Sequence, residues 1–257
     1  MLWITLNRPE ARNALSPELV VRLDRAWCEL RQDPELRAAV VTGAGDRAFC
    51  AGADLARLVP LLGGQRAPED EWDRALLADP ALPARALLVE ADAGKPVIAA
   101  INGVAAGGGL ELLLATDLRV SVPEARFGLP EVKRGLFPGG GGPVRLSRQI
   151  PWARAMELCL TGELIDAGEA LALGLLNRVV PREELLETAL GLAQQIAANG
   201  PIAVRATRAA LRETAGLSEA RALEHSKQLA LPVFRSEDSV EGVRAFLEKR
   251  VPVYRGR

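Results

Sequence analysis

The chain has a single histidine, His225, in 257 residues. That excludes a histidine-rich metal site and any catalytic arrangement needing two imidazoles. His225 stands among Arg221, Glu224 and Lys227 on an expected helix, the pattern of a solvated face. Cysteine is scarce too: Cys28, Cys50 and Cys159 are odd in number and scattered, which argues against a disulfide scaffold and for a reducing cytoplasm. No apolar run approaches the roughly 18 residues that a membrane helix needs. The start, Met1 to Pro9, lacks the basic residues and long apolar run of a signal peptide, so a cytoplasmic protein is expected. Neither sign of charge dominates: 32 Lys and Arg against 33 Asp and Glu leave a formal net charge of -1, which gives nucleic acid no basic surface to bind. Gly107-Gly108-Gly109 is not followed by Lys-Ser or Lys-Thr, so there is no P-loop, and the spacing from Gly103 to Gly107 does not fit a dinucleotide fingerprint. No G-x-S-x-G elbow occurs, and the lone histidine has no recognisable serine or cysteine partner for a hydrolase triad.

What is present is an ample core, with 49% apolar and 25% charged residues, undivided by any linker. The chain is organised around the run from Lys95 to Ala115. Val97 to Ile101 is an apolar, partly β-branched strand closed by Asn102-Gly103. Three glycines then lead into a helix over 110–115. A glycine-rich loop feeding a helix leaves backbone N–H groups unpaired where the helix dipole favours negative charge, which makes an anion or oxyanion site. Glu111 interrupts an otherwise apolar helix one turn from those groups. The alternative is that the glycines only permit close helix–strand packing and Glu111 complements the dipole.

Elsewhere the pattern predicts strands over 2–6, 38–42, 48–50, 117–122 and 177–180, with a brief one near 127. A helix opens at Ser16-Pro17-Glu18, with apolar Leu19, Leu23, Trp27 and Leu30 on one face. Residues 60–94, broken by Gly63-Gly64, Pro68, Pro80 and Pro83, read as one or two short mobile helices, either a lid or pocket wall or an ordinary surface connection. Helices dominate later, over 144–149, 152–160, 166–173, 181–199, 202–214, 218–235 and 238–250. The expectation is a layered α/β core over 1–195 followed by a helical C-terminal part over 196–257.

Two glycine-terminated strands, ending at Gly52 and Gly103, can each present an amide to a common cleft, as an oxyanion hole requires. Glu111 and Glu131 are the acids within the two most glycine- and proline-constrained stretches, a candidate pair for holding water and passing protons. Mutual repulsion and partial burial would shift their protonation toward neutral pH.

Residues 7–14 (NRPEARNA), 49–55 (FCAGADL), 101–111 (INGVAAGGGLE), 127–131 (FGLPE) with 138–142 (PGGGG), 160–163 (LTGE), 174–180 (GLLNRVV) and 246–250 (FLEKR) together resemble the successive motifs of the enoyl-CoA hydratase/isomerase, or crotonase, family. The resemblance implies an α/β spiral of strand–strand–helix turns with a helical trimerisation part, a homotrimer or homohexamer, and an acyl-CoA thioester substrate whose coenzyme A needs no further cofactor or metal. It places oxyanion amides at Ala53 and Gly108. It makes Glu111 the base on water attacking C3 and Glu131 the donor of a proton to C2. It sets Ala51, Asp54, Leu55 and Ala56 along the CoA and acyl channel, Arg12 and Lys249 near the CoA phosphates, and Phe246 at the acyl pocket. For Lys249 and Arg250, a solvated helix end complementing the dipole is the competing reading. The intact glutamate pair favours hydration; the alternatives are another crotonase-type activity, an isomerase or a carnitinyl-CoA-type dehydratase, and a non-catalytic acyl-CoA binder. Two features depart from the family pattern: the first strand begins almost at Met1, and residues 60–94 are longer than usual.

Overall fold

The computed structural model describes residues 1–257. The chain opens with β1 (Leu2–Leu6) and α1 (Pro17–Gln32). Helix α1 starts where it does because Ser16 Oγ accepts from Leu19 N–H and Pro17 takes a first-turn position that needs no donor. Then come β2 (Ala39–Gly43), β3 (Ala48–Cys50) and the short helices α2 (Leu58–Leu62), α3 (Glu71–Ala78) and α4 (Leu82–Ala86). The centre comprises β4 (Val97–Ile101), β5 (Val104–Ala106), α5 (Gly108–Leu113), β6 (Leu118–Ser121), β7 (Arg126–Gly128) and α6 (Gly142–Gln149). The remainder is α7 (Trp152–Thr161), β8 (Ile165–Asp166), α8 (Ala167–Ala172), β9 (Arg178–Val179), α9 (Leu185–Ala197), α10 (Pro201–Glu213), α11 (Glu219–Phe234) and α12 (Glu237–Leu247).

The strands form two sheets. A five-stranded parallel sheet runs β1-β2-β4-β6-β9, and a four-stranded one runs β3-β5-β7-β8, antiparallel only at its last pair. Each of the pairs β2–β3, β4–β5 and β6–β7 therefore gives one strand to each sheet before the chain turns into helix, which is the expected spiral. Both faces of β2 and β4 are buried, so these strands read as continuous apolar runs rather than alternating ones. Helix α9 covers the larger sheet through β2, β4 and β6, while α10 and α11 pack on each other. No helix is long and apolar enough to cross a membrane.

Side-chain amides tie the corners of the spiral. Asn102 Oδ1 accepts from Gly43 N–H at 3.1 Å, and its Nδ2 donates to the carbonyls of Gly45 at 2.8 Å and Ala48 at 3.1 Å. Asn13 Nδ2 donates to Ala44 O and Ala48 O, and its Oδ1 accepts from Arg8 N–H. The motif over 7–14, through Asn13, and the Asn102-Gly103 motif are thus joints between strands. Asn102 is 5% exposed, so Asn102→Ala takes the side-chain partner from three backbone groups, two of them buried. We expect a loss of about 2–4 kcal/mol, read as a lower urea midpoint with unchanged slope.

Several expectations need correction. Residues 60–94 hold the end of α2 and two short helices, α3 and α4, as expected, but they are clamped rather than loose. Arg57 pairs with Asp70 at 2.7 Å and Arg66 with the fully buried Asp73 at 2.7 Å. Arg85 bridges Asp24 and Asp79, Trp27 Nε1 donates to Ala86 O at 2.9 Å, and Trp72 lies under the guanidinium groups of Arg22 and Arg25. The expected 38–42 strand starts and ends one residue later, and the last helix stops at Leu247 because Lys249 turns left-handed at φ 55°.

Candidate active site

Helix α5 begins against the end of β3. Gly107 precedes it at φ 54°, ψ -129°, a conformation that a side chain would strain, and no side chain caps the helix. Gly108 N–H is therefore one of the amides that a helix start leaves unpaired. Ala53 N–H likewise donates to no group of the chain: around it, Leu15 N–H goes to Gly52 O and Asp54 N–H to Leu15 O. The two amides are neighbours. A Cβ built on Gly52 would lie 3.4 Å from Gly108 N, and one built on Gly108 would lie 3.8 Å from Ala53 N.

Gly103, the glycine that strand endings single out as a second amide donor, is elsewhere. A Cβ there would sit 2.5 Å from the Arg47 carbonyl, so it is a corner residue where backbones touch. The chain turns there into β5 of the other sheet, and the amide beside Ala53 belongs to Gly108, the second glycine after β5.

Glu111 sits in the first turn of α5 and is 3% exposed. Its Oε1 accepts from Gly142 N–H at 2.9 Å, at the start of α6, so the glycine run after Pro138 holds the carboxylate. Burial, with the nearby Glu131 charge adding to it, pushes the Glu111 carboxyl up to about 7, against the opposing Gly142 and Gly140 amides. Glu131 lies in the 3-10 turn Pro130–Arg134 that follows β7. Its Oε1 is 2.9 Å from where a Gly107 Cβ would be, and its Oε2 is buried with no partner. Burial raises the Glu131 carboxyl above the usual range as well.

These features put Glu111, Glu131, Ala53 and Gly108 around one end of α5. Arg12 is brought alongside, since its carbonyl accepts from Ala51 N–H at 3.1 Å and its own side chain is exposed. Leu55 is 49% exposed and Ala56 exposed, while Ala51 is half-buried next to the amide segment. Asp54 is engaged structurally: Oδ1 accepts from Ala56 and Arg57 N–H, and Oδ2 pairs with Arg8 at 3.1 Å. Phe246, 82% exposed, and Lys249, also exposed, are not gathered into this buried site by the single chain. Sequence reasoning missed Gly142 as the donor to Glu111, and missed Leu87 and Arg145, which border the same carboxylate. The run of four glycines was the available signal for the first; no local signal marks the other two.

Neighbouring amides beside two carboxylates of raised pKa can polarise a carbonyl, stabilise an enolate and move protons at the adjacent carbons. The sequence profile of the enoyl-CoA hydratase/isomerase family matches residues 1–257. The chain is 44% identical to enoyl-CoA hydratase EchA19 of Mycobacterium tuberculosis, over 100% of this chain and 93% of that protein. It is 42% identical to (E)-benzylidenesuccinyl-CoA hydratase of Thauera aromatica, over 99% and 95%. The crystal structure of an enoyl-CoA hydratase from Bacillus anthracis superposes with a TM-score of 0.88 at 39% identity, covering 99% of this chain and 95% of that one.

Proposed function

The chain belongs to the enoyl-CoA hydratase/isomerase family, and from that premise we propose that it adds water across the 2,3 double bond of an enoyl-CoA thioester. The observation that carries this reading is the carboxylate pair, Glu111 buried and Glu131 half-buried, beside two unpaired backbone amides. In this mechanism the thioester oxygen accepts from Ala53 and Gly108 N–H, which stabilise the charge that develops there; one such donor is typically worth about 3–4 kcal/mol in the transition state. Glu111 takes a proton from water as its oxygen bonds to C3. The electron pair of the double bond moves toward the thioester, and Glu131 delivers its proton to C2. Water's hydroxyl thereby ends on C3 and its proton on Glu111, while C2 carries the proton from Glu131; return of one proton from Glu111 to Glu131 resets the pair. The working state holds one proton between two carboxylates, so the pair titrates as a unit.

Arg12, exposed beside Ala51, supports a contact with the CoA phosphates. Phe246 and Lys249 suit a contact made by a neighbouring copy of the chain, and exposed Phe234, Leu247 and Val251 in the same C-terminal region support the self-association that a trimer requires.

The test is hydration of crotonyl-CoA, followed as loss of enoyl absorbance. Wild-type protein should turn over. Glu131→Gln, which cannot release a proton to C2, should lower kcat/KM at least about a hundredfold. A loss under tenfold, or no turnover by the wild type on any enoyl thioester, would defeat the two-carboxylate reading.

A further inference from the structure

The structure holds one apolar side chain against the Glu111 carboxylate with unusual care. If Gly140 carried a Cβ, Leu87 Cδ1 would lie 2.6 Å and Glu111 Oε2 2.7 Å from it, so a methyl group and a carboxylate oxygen flank the same point. Leu87 is half-buried, with part of its surface facing open space. It follows directly on α4, and its position is fixed from two sides. Arg145 Nη1 donates to Leu87 O at 3.2 Å, and Arg145 Nη2 donates to Leu88 O. Leu88 in turn is left-handed at φ 54°, unfavourable for a leucine, and its side chain is 3% exposed, so packing locks the turn. Arg145 rides on α6, the helix whose first amide orients Glu111. One rigid element therefore positions both the carboxylate and the leucine beside it.

Resting on the hydratase reading, we propose that Leu87 sets how bulky a group the acyl chain can carry on C3. Water activated by Glu111 must reach C3, so the substituent on C3 passes whatever flanks that carboxylate. On the Gly107 side the flank is Glu131. On the Gly140 side it is the Leu87 methyl. The guanidinium behind Leu87 is occupied with the two carbonyls, so this wall offers an apolar surface of fixed size and selects by volume rather than by charge.

Binding, rather than turnover, separates this proposal from the reading beneath it. Calorimetry with butyryl-CoA and 3-phenylpropanoyl-CoA, both saturated and inert to hydration, gives a Kd ratio for wild type, Leu87→Ala and Leu87→Phe. Leu87→Ala should shift the ratio toward the phenyl ligand by about tenfold, and Leu87→Phe should shift it by a similar factor toward butyryl. The opposite directions keep the test alive if one variant fails to fold. If both ligands bind and the ratio stays within about threefold of wild type in the folded variants, or moves in the wrong direction, Leu87 is not the wall and the hydratase reading stands. If neither ligand binds the wild type, the acyl-CoA reading falls and takes this inference with it.

Discussion

Glu111→Gln is expected to lower kcat/KM for crotonyl-CoA hydration by about a hundred- to ten-thousandfold while making the protein harder to unfold above pH 7. The two effects share one cause. A carboxylate that is 3% exposed, with a pKa pushed up to about 7 by burial, is costly to ionise and correspondingly basic once ionised. The ordinary value is 4.5, so between about 4.5 and 7 the folded chain holds a proton that the unfolded chain has released. Stability therefore falls as pH rises through that window, and above it the full cost is present, up to about 3 kcal/mol at about 1.4 kcal/mol per unit. Glutamine is neutral throughout, and its carbonyl oxygen can still accept from Gly142 N–H. Urea denaturation from pH 4 to 9 should show the variant's advantage opening between pH 4.5 and 7 and then levelling off. In the wild type, kcat/KM should drop on the alkaline side, near pH 7, as the carboxylate pair loses the one proton it shares. A stability gap that does not widen with pH would mean that Glu111 carries no buried charge.

The parts of this site visible in the sequence are those whose signal is local. Glu111 stood out because one acid broke the apolar run of α5, and Glu131 because Pro130 fixed its turn. The choice between Gly103 and Gly108 was not local. Both follow apolar strands, and what separates them is β5, three residues long and too short to show alternation. The two-residue strands β8 and β9 had equally little pattern, though β9 fell within an expected longer strand. Residues 60–94 blurred for another reason. Pro83 read as an interruption but occupies the first turn of α4, where the missing N–H is no loss. Leu87 and Arg145 had no local mark, since their contact joins positions 58 apart in the chain. The motif resemblance supplied what spacing lacked, assigning the second amide to Gly108.

Gly109→Ala should be the most damaging single methyl addition near this site. The new Cβ would stand 2.1 Å from Cys50 O and 2.8 Å from the Cys50 carbonyl carbon and Cβ, where there is backbone rather than a side-chain tip able to swing away. Cys50 is itself wholly buried in the core, so relief requires the start of α5 to move off the end of β3. That movement separates the Gly108 amide, one residue before the clash, from the Ala53 amide, three residues after Cys50. Overpacking of this kind costs about 1–3 kcal/mol or more. Misplacing one oxyanion donor costs about a hundred- to a thousandfold in kcat. Gly191→Ala is the matched control: the same methyl in the interior of α9 meets nothing within 4 Å and should stabilise by about 0.5–1 kcal/mol without touching turnover. Thermal melts and crotonyl-CoA kinetics on the two variants isolate the close approach from glycine's general helix penalty. Equal effects at the two positions would mean that contact between α5 and β3 does not hold the amides together.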